Sequence, residues 1–123
     1  MEHLKLSDGE WKLMKMLWTG QPQTLAELVT ALDEDTGWSR ATIFMMLKRL
    51  IAKGAVTMDD SGKFQKYSAA ITYADVEPKE TESFLSKVYG GSLGLMVSNL
   101  VERGALSEQE IRELKAILDA AEK

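Results

Sequence analysis

Cysteine is absent from these 123 residues, histidine occurs once and proline twice. Without cysteine there can be no disulfide, iron–sulfur cluster, thiolate nucleophile or zinc–cysteine site. That usage fits a reducing cytoplasm, where the chain is expected to reside. No run of about 18 apolar residues occurs, so no segment is expected to insert into a membrane. The opening MEHLKLSDGEWK is acidic and has no apolar stretch, which argues against a signal peptide. What remains is ordinary for a globular domain: 45% hydrophobic and 28% charged residues. The length suffices to bury a core without staples.

The net charge of −4 speaks against a nucleic-acid partner until its distribution is read. From Trp38 to Tyr73 there are six Lys/Arg (Arg40, Lys48, Arg49, Lys53, Lys63, Lys66) against two Asp/Glu (Asp59, Asp60). From Ala74 to Lys123 there are six basic residues against ten acidic. A phosphate-facing surface on an otherwise acidic chain is compatible with this pattern.

Helix signals recur along the chain. Ser7-Asp-Gly-Glu10 is a capping box, and Trp11, Met14, Leu17 and Trp18 continue it as a helix to about Thr19. GQPQ (20–23) breaks the pattern. Thr24-Leu-Ala-Glu27 opens a second helix, expected to run to about Leu32, with DEDTG (33–37) as a polar turn. Ser39 caps a third helix, with Trp38 placed to pack on Ile43 as a hydrophobic staple. After Gly54, AVTMDD and KFQKYSAA read as two short strands around a tight turn, with Val56, Met58, Phe64 and Tyr67 partly buried.

Pro78 suits the first turn of a further helix, striped by Phe84, Leu85, Val88 and Tyr89. Gly90-Gly91 is expected to weaken or bend it before Leu93, Leu95, Met96, Val97 and Leu100 carry it to Gly104. Ser107-Glu-Gln-Glu110 caps a last helix with Ile111, Leu114, Ile117, Leu118 and Ala121 on one side. Two short helices cannot hide this much apolar surface. At roughly 25 cal/mol per Å², its exposure would cost several kcal/mol. A second copy of the chain covering it is the expected solution, and folding back onto the first unit is the alternative.

The third helix carries the functional question. At about 100° per residue, Met46, Leu47, Leu50 and Gly54 lie within about 60° of Ile43, and Ile51 completes this core stripe. The opposite face holds Ala41, Met45, Lys48 and Ala52, flanked by Arg49, Thr42 and Phe44. A helix-turn-helix followed by another helix and a basic hairpin is the winged-helix arrangement. Its third helix enters the major groove while the hairpin meets phosphates. An exposed Phe44 and Met45 suit thymine methyl groups; the plainer alternative packs Phe44 against the hairpin and leaves Met45 a tolerated surface residue. Lys48 and Arg49 alone would read as a solvated face. Lys63 and Lys66 on the hairpin turn the balance toward DNA.

WSRATIFMMLKRLIAKGAV (38–56), SDGEWKLMKMLW (7–18) and FLSKVYGGSLGLMVSNL (84–100) together resemble the BlaI/MecI/CopY family of penicillinase-type repressors, over nearly the whole chain. The resemblance implies a mainly α fold: an α+β winged helix-turn-helix DNA-binding domain (1–73) and a C-terminal helical dimerisation domain (74–123). It implies a bacterial homodimeric repressor on a palindromic double-stranded DNA operator, with no cofactor and no metal. DNA-contact positions carried over are Ser39, Arg40, Thr42, Met45, Lys48 and Arg49. Thr24 joins them as a phosphate ligand, with Lys63 and Lys66 on the wing. In the penicillinase branch a membrane sensor protease triggers cleavage after an asparagine in the dimerisation helices. Asn99-Leu100 occupies that position, with leucine where the family usually has phenylalanine. The cysteine motif of the copper-responsive branch is missing, which rules out copper sensing by that route. Relatives tend to carry basic or hydroxyl residues in place of Phe44 and Met45, so no relative's operator transfers.

Other classes have less behind them. His3 stands near the chain start, Asp59-Asp60 is explained by a turn, and no nucleophile elbow, phosphate loop or metal-spaced cluster occurs. An enzyme is not expected. A winged helix serving only protein contacts, or one controlled by a small-molecule effector, remain the alternatives.

Overall fold

The computed structural model describes residues 4–122; His3 lies outside them. In chain order the described residues form α1 (Asp8–Thr19), β1 (Gln23–Thr24), α2 (Leu25–Thr36), α3 (Arg40–Ala52), β2 (Val56–Asp59), β3 (Lys66–Ala69), α4 (Tyr73–Tyr89), α5 (Leu93–Glu102) and α6 (Glu108–Ala121). The described residues fall into two compact units that divide between Glu80 and Thr81. None of the described helices is long and apolar enough to cross a membrane.

The first unit is the winged helix-turn-helix expected. Its helices start where hydroxyl side chains satisfy free amides. Ser7 Oγ accepts from the Glu10 amide at 3.2 Å while Glu10 Oε1 accepts from the Ser7 amide at 2.8 Å. Thr24 and Glu27 repeat the box at 3.2 and 2.8 Å, and Ser39 Oγ accepts from the Thr42 amide at 3.2 Å. Leu13, Met14, Leu17, Leu28, Leu32, Ile43, Leu47 and Leu50 form one core. Trp38 is half-buried, its ring against Gly9 of α1: a Cβ there would lie 3.4 Å from the indole and 3.0 Å from Met46 Cε. The sheet is antiparallel in the order β1-β3-β2, with Met58 opposite Tyr67 and Asp59 opposite Lys66. β1 joins it through Gln23 opposite Tyr67 and Thr24 opposite Lys66. Trp11, Trp18 and Tyr73 meet edge to face at 5.7–6.1 Å, and Trp18 Nε1 donates to the Ile71 carbonyl at 2.8 Å.

Several expectations need correction. The second helix does not stop at Leu32 but takes in DEDT and ends at Gly37, whose φ of 63° is left-handed, a conformation that glycine adopts without strain. The hairpin turn is not tight: residues 60–65 separate the strands, and Asp59 Oδ1 accepts from the Ser61 amide at 2.9 Å to start the loop. Phe64 consequently leaves the strand and is 60% exposed, and Met58 is exposed too, while Val56 and Tyr67 are buried. Ile51, at the edge of the stripe, is also exposed. Pro78 is not in the first turn of its helix, which starts five residues earlier at Tyr73. Thr72 and Asp75 form the box that starts it, at 2.7 and 3.1 Å.

In the second unit Gly90 and Gly91 end α4 rather than bend it, both at positive φ (59° and 85°). Two left-handed residues in succession cannot continue a right-handed helix. Ser92 then caps α5 through the Leu95 amide at 3.0 Å, and Ser107 and Glu110 box the start of α6. The Phe84 and Tyr89 rings meet at 6.0 Å.

Candidate nucleic-acid interface

α3 has two faces of different chemistry. Ile43, Met46, Leu47 and Leu50 point into the core. Outward stand Arg40, Thr42, Phe44, Met45, Lys48 and Arg49, all exposed. Of the six helices among the described residues, α3 alone contains no Asp or Glu. Its amino end, where free amides concentrate partial positive charge, carries the exposed Ser39 cap and Arg40.

Thr24 at the start of α2, Arg40 at the start of α3, and Lys63 and Phe64 of the wing loop line one cleft of about 310 Å³. The buried Tyr67 also lines it, and burial pushes the Tyr67 hydroxyl pKa up. Lys66 sits beside it in β3, opposite Thr24 and Asp59. The Asp59 carboxyl is held below its ordinary range by the Ser61 amide and hydroxyl. Lys63 Nζ lies 5.4 Å from the Phe64 ring centroid, and Lys48 Nζ 5.3 Å from that of Phe44. Both cations are thus parked on aromatic faces, a weak contact at an exposed site.

Arg49 is engaged differently. Its Nε lies 3.5 Å from Glu10 Oε2, and Lys53 Nζ lies 2.6 Å from Glu10 Oε1. Lys53 also donates to the Lys5 carbonyl at 2.9 Å. Glu10 is only 1% exposed. Burial raises its pKa, but bonds from Lys53 and from the Ser7 amide and hydroxyl outweigh this and hold the carboxyl below its ordinary value. One carboxylate therefore caps α1 and clamps the carboxyl end of α3. Reading Glu10 as a cap alone missed this clamp. The signal was present: Leu13, Met14 and Leu17 follow it at i+3, i+4 and i+7, so Glu10 stands on the apolar face of α1.

In the second unit, Phe84 and Val88 are exposed and Leu85 and Tyr89 half-exposed on α4. Val97, Asn99 and Leu100 are half-exposed on α5, as are Ile111 and Leu114 on α6, where Leu118 is 61% exposed. Asn99 and Leu100 lie in the last turns of α5, their carbonyls accepting from the Arg103 and Ala105 amides at 3.2 and 2.9 Å.

A family model described as Penicillinase repressor matches residues 6–120. The chain belongs to the penicillinase repressor family. Membership places it among repressors rather than enzymes. It is 36% identical to the Penicillinase repressor of Bacillus licheniformis over 115 residues, covering 94% of this chain and 90% of that one. With the Methicillin resistance regulatory protein MecI of Staphylococcus aureus (strain N315) the identity is 30%, over 94% of each chain. The solution structure of the monomeric form of Bacillus licheniformis BlaI, in complex with the blaP half-operator, is similar at 33% identity and a TM-score of 0.54. That match covers 61% of this chain and 93% of the other.

Proposed function

We propose that this penicillinase repressor family member is a cytoplasmic transcriptional repressor that binds a palindromic DNA operator as a homodimer. The observation that carries the reading is α3: an acid-free, outward-facing helix flanked by a cleft in which Thr24, Arg40 and Lys63 converge. A relative 33% identical was solved on a half-operator, which supports the same role here. In this reading Thr42, Met45 and Lys48 face base edges, because helix side chains in the major groove meet them. Ser39, Arg40 and Thr24 hold phosphates at helix amino ends, and Lys63 and Lys66 hold the backbone from the wing. Arg49 joins them by exchanging its 3.5 Å contact with Glu10 for a phosphate.

The DNA-binding domain is assigned to residues 1–73 and the dimerisation domain to 74–123. Phe84, Leu85, Val88, Tyr89, Val97, Leu100, Ile111, Leu114 and Leu118 pack against the second copy. Two recognition helices then meet two half-sites, and bivalence raises the affinity above that of one half-site alone. Relief of repression follows from cleavage at Asn99-Leu100, triggered by a membrane sensor protease, which would detach α6 from the dimer. The bond is helical, so the last turn of α5 must unwind to enter a protease.

The test is fluorescence anisotropy of the intact protein with the duplex upstream of its own gene, against a shuffled duplex, at two salt concentrations. The expected result is preference for the upstream duplex and a steep loss of affinity with salt, as phosphate contacts release counterions. Salt-independent binding without preference would refute the reading.

A further inference from the structure

We propose that Met45, backed by Phe44, reads the C5-methyl group of a thymine in the major groove, so that each half-site contains a thymine whose methyl is needed for full affinity. The inference rests on the DNA-binding reading above and deepens it to a specificity.

The polar groups at the start of α3 are already engaged with one another. Ser39 Oγ accepts from the Thr42 amide and donates to Thr42 Oγ1 at 3.1 Å. Ser39 therefore spends its proton within the cap, whereas the Thr42 hydroxyl keeps its own donor on the outward face. Met45 follows on the outward face at 57% exposure, the most exposed large apolar side chain of the helix. Phe44 is 37% exposed, with the Lys48 ammonium 5.3 Å from its ring centroid. The outward centre of the helix is thus an apolar pair with a cation resting on it.

The surroundings select the partner. α3 has no acidic side chain and carries Arg40, Lys48 and Arg49, and Lys63 stands across the neighbouring cleft. A surface so charged suits a polyanion. On a DNA duplex the groove that admits a helix offers one apolar feature, the thymine C5-methyl; every other base edge there presents donors or acceptors. A flexible thioether adapts its shape to such a group. Facing cytosine or guanine edges instead, Met45 would bury polar atoms without partners.

The experiment begins with selection of duplexes by the intact protein from a random-sequence pool. The best duplex is then remade with deoxyuridine replacing each thymidine in turn, which removes only the methyl. Anisotropy should show about fourfold weaker binding at one position per half-site, the effect of losing one buried methyl-sized group. Met45→Gln, a change at an exposed position, should bind the thymidine and deoxyuridine duplexes alike at that position. Equal binding of all deoxyuridine duplexes by the unaltered protein overturns the inference, as do selected half-sites without thymine. A thymidine preference that survives in Met45→Gln assigns the methyl to another residue and overturns it too. If the pool yields no preferred duplex, the DNA-binding reading itself fails, and that outcome is distinct from the others.

Discussion

The two units of the chain solve the problem of apolar surface in opposite ways. In the first, each of α1, α2 and α3 buries at least two side chains, and seven large apolar residues are completely hidden. In the second, no described side chain is buried, although Phe84, Val88, Leu93, Leu95, Val101, Ile117 and Leu118 are 49–62% exposed. Local helix signals are equally good in both, since Ser92 and Ser107 cap α5 and α6 as Ser7 and Thr24 cap α1 and α2. Capping therefore decides where helices begin, and only packing decides whether they stand alone. A unit with good caps and no core is one whose stability depends on what covers it.

That contrast can be broken most decisively by cutting the chain. Residues 1–80, which retain Val76 in the core and Tyr73 against Trp11 and Trp18, should stay folded. They should bind a full operator about 10²–10⁴-fold more weakly than the intact protein, because bivalence is lost. Equal affinity in an anisotropy titration would remove dimerisation from the mechanism.

Paired truncations sharpen it next. Leu47→Ala, at a fully buried site, should cost about 2–5 kcal/mol in urea unfolding, regardless of protein concentration. Leu118→Ala, at an exposed site of the second unit, should leave the first unit's midpoint unchanged. It should instead shift the concentration dependence of association by sedimentation. A concentration-independent loss of stability would mean that Leu118 is covered within its own chain.

Among the described residues, Glu10 is the buried charged side chain, and it lies in the first unit. Its carboxyl pKa is depressed in the folded state, so the stabilisation is fully present above the ordinary glutamate value. It is lost as pH falls through the lower folded value. Glu10→Gln should cost about 1–3 kcal/mol at neutral pH and flatten the acid side of the stability profile. Identical profiles from denaturation at pH 3 to 7 would show that Lys53 and Arg49 contribute nothing through this carboxylate.

The smallest effect is at a turn. Gly37 has φ of 63° and open space around its α-carbon. Gly37→Ala should cost about 1 kcal/mol, through backbone strain alone, and Gly37→Asn less. A larger loss in thermal unfolding would point to a contact rather than strain.

Much of this fold was legible because its signals are local. Ser7, Thr24, Ser39 and Ser107 announce their helices within four residues. Thr72-Tyr-Ala-Asp75 is a signal of the same kind, overlooked because Pro78 pointed to a later start. What stayed hidden depended on distance in the chain. Gln23–Thr24 becomes a strand only because β3, over forty residues on, offers it an edge. The extension of α2 through DEDT depends on Gly37 accepting a left-handed backbone, which a polar run does not announce. The candidate interface was half legible. The outward face of α3 follows from helical periodicity, whereas the convergence of Thr24, Arg40 and Lys63 on one cleft needs the sheet. The engagement of Arg49 by Glu10 needs α1 and α3 side by side.

That α3 alone among the described helices carries no acid, on a chain of net charge −4, has a kinetic consequence. Toward a polyanion, orientations of the first unit that lead with the acidic residues of α1 or α2 are repelled before contact, and those that lead with α3 are drawn in. The acidic helices of the first unit thereby work as an orientational filter, discarding collisions made by their faces. Lowering the salt deepens both the attraction and the rejection, so what improves is the fraction of encounters that arrive correctly turned.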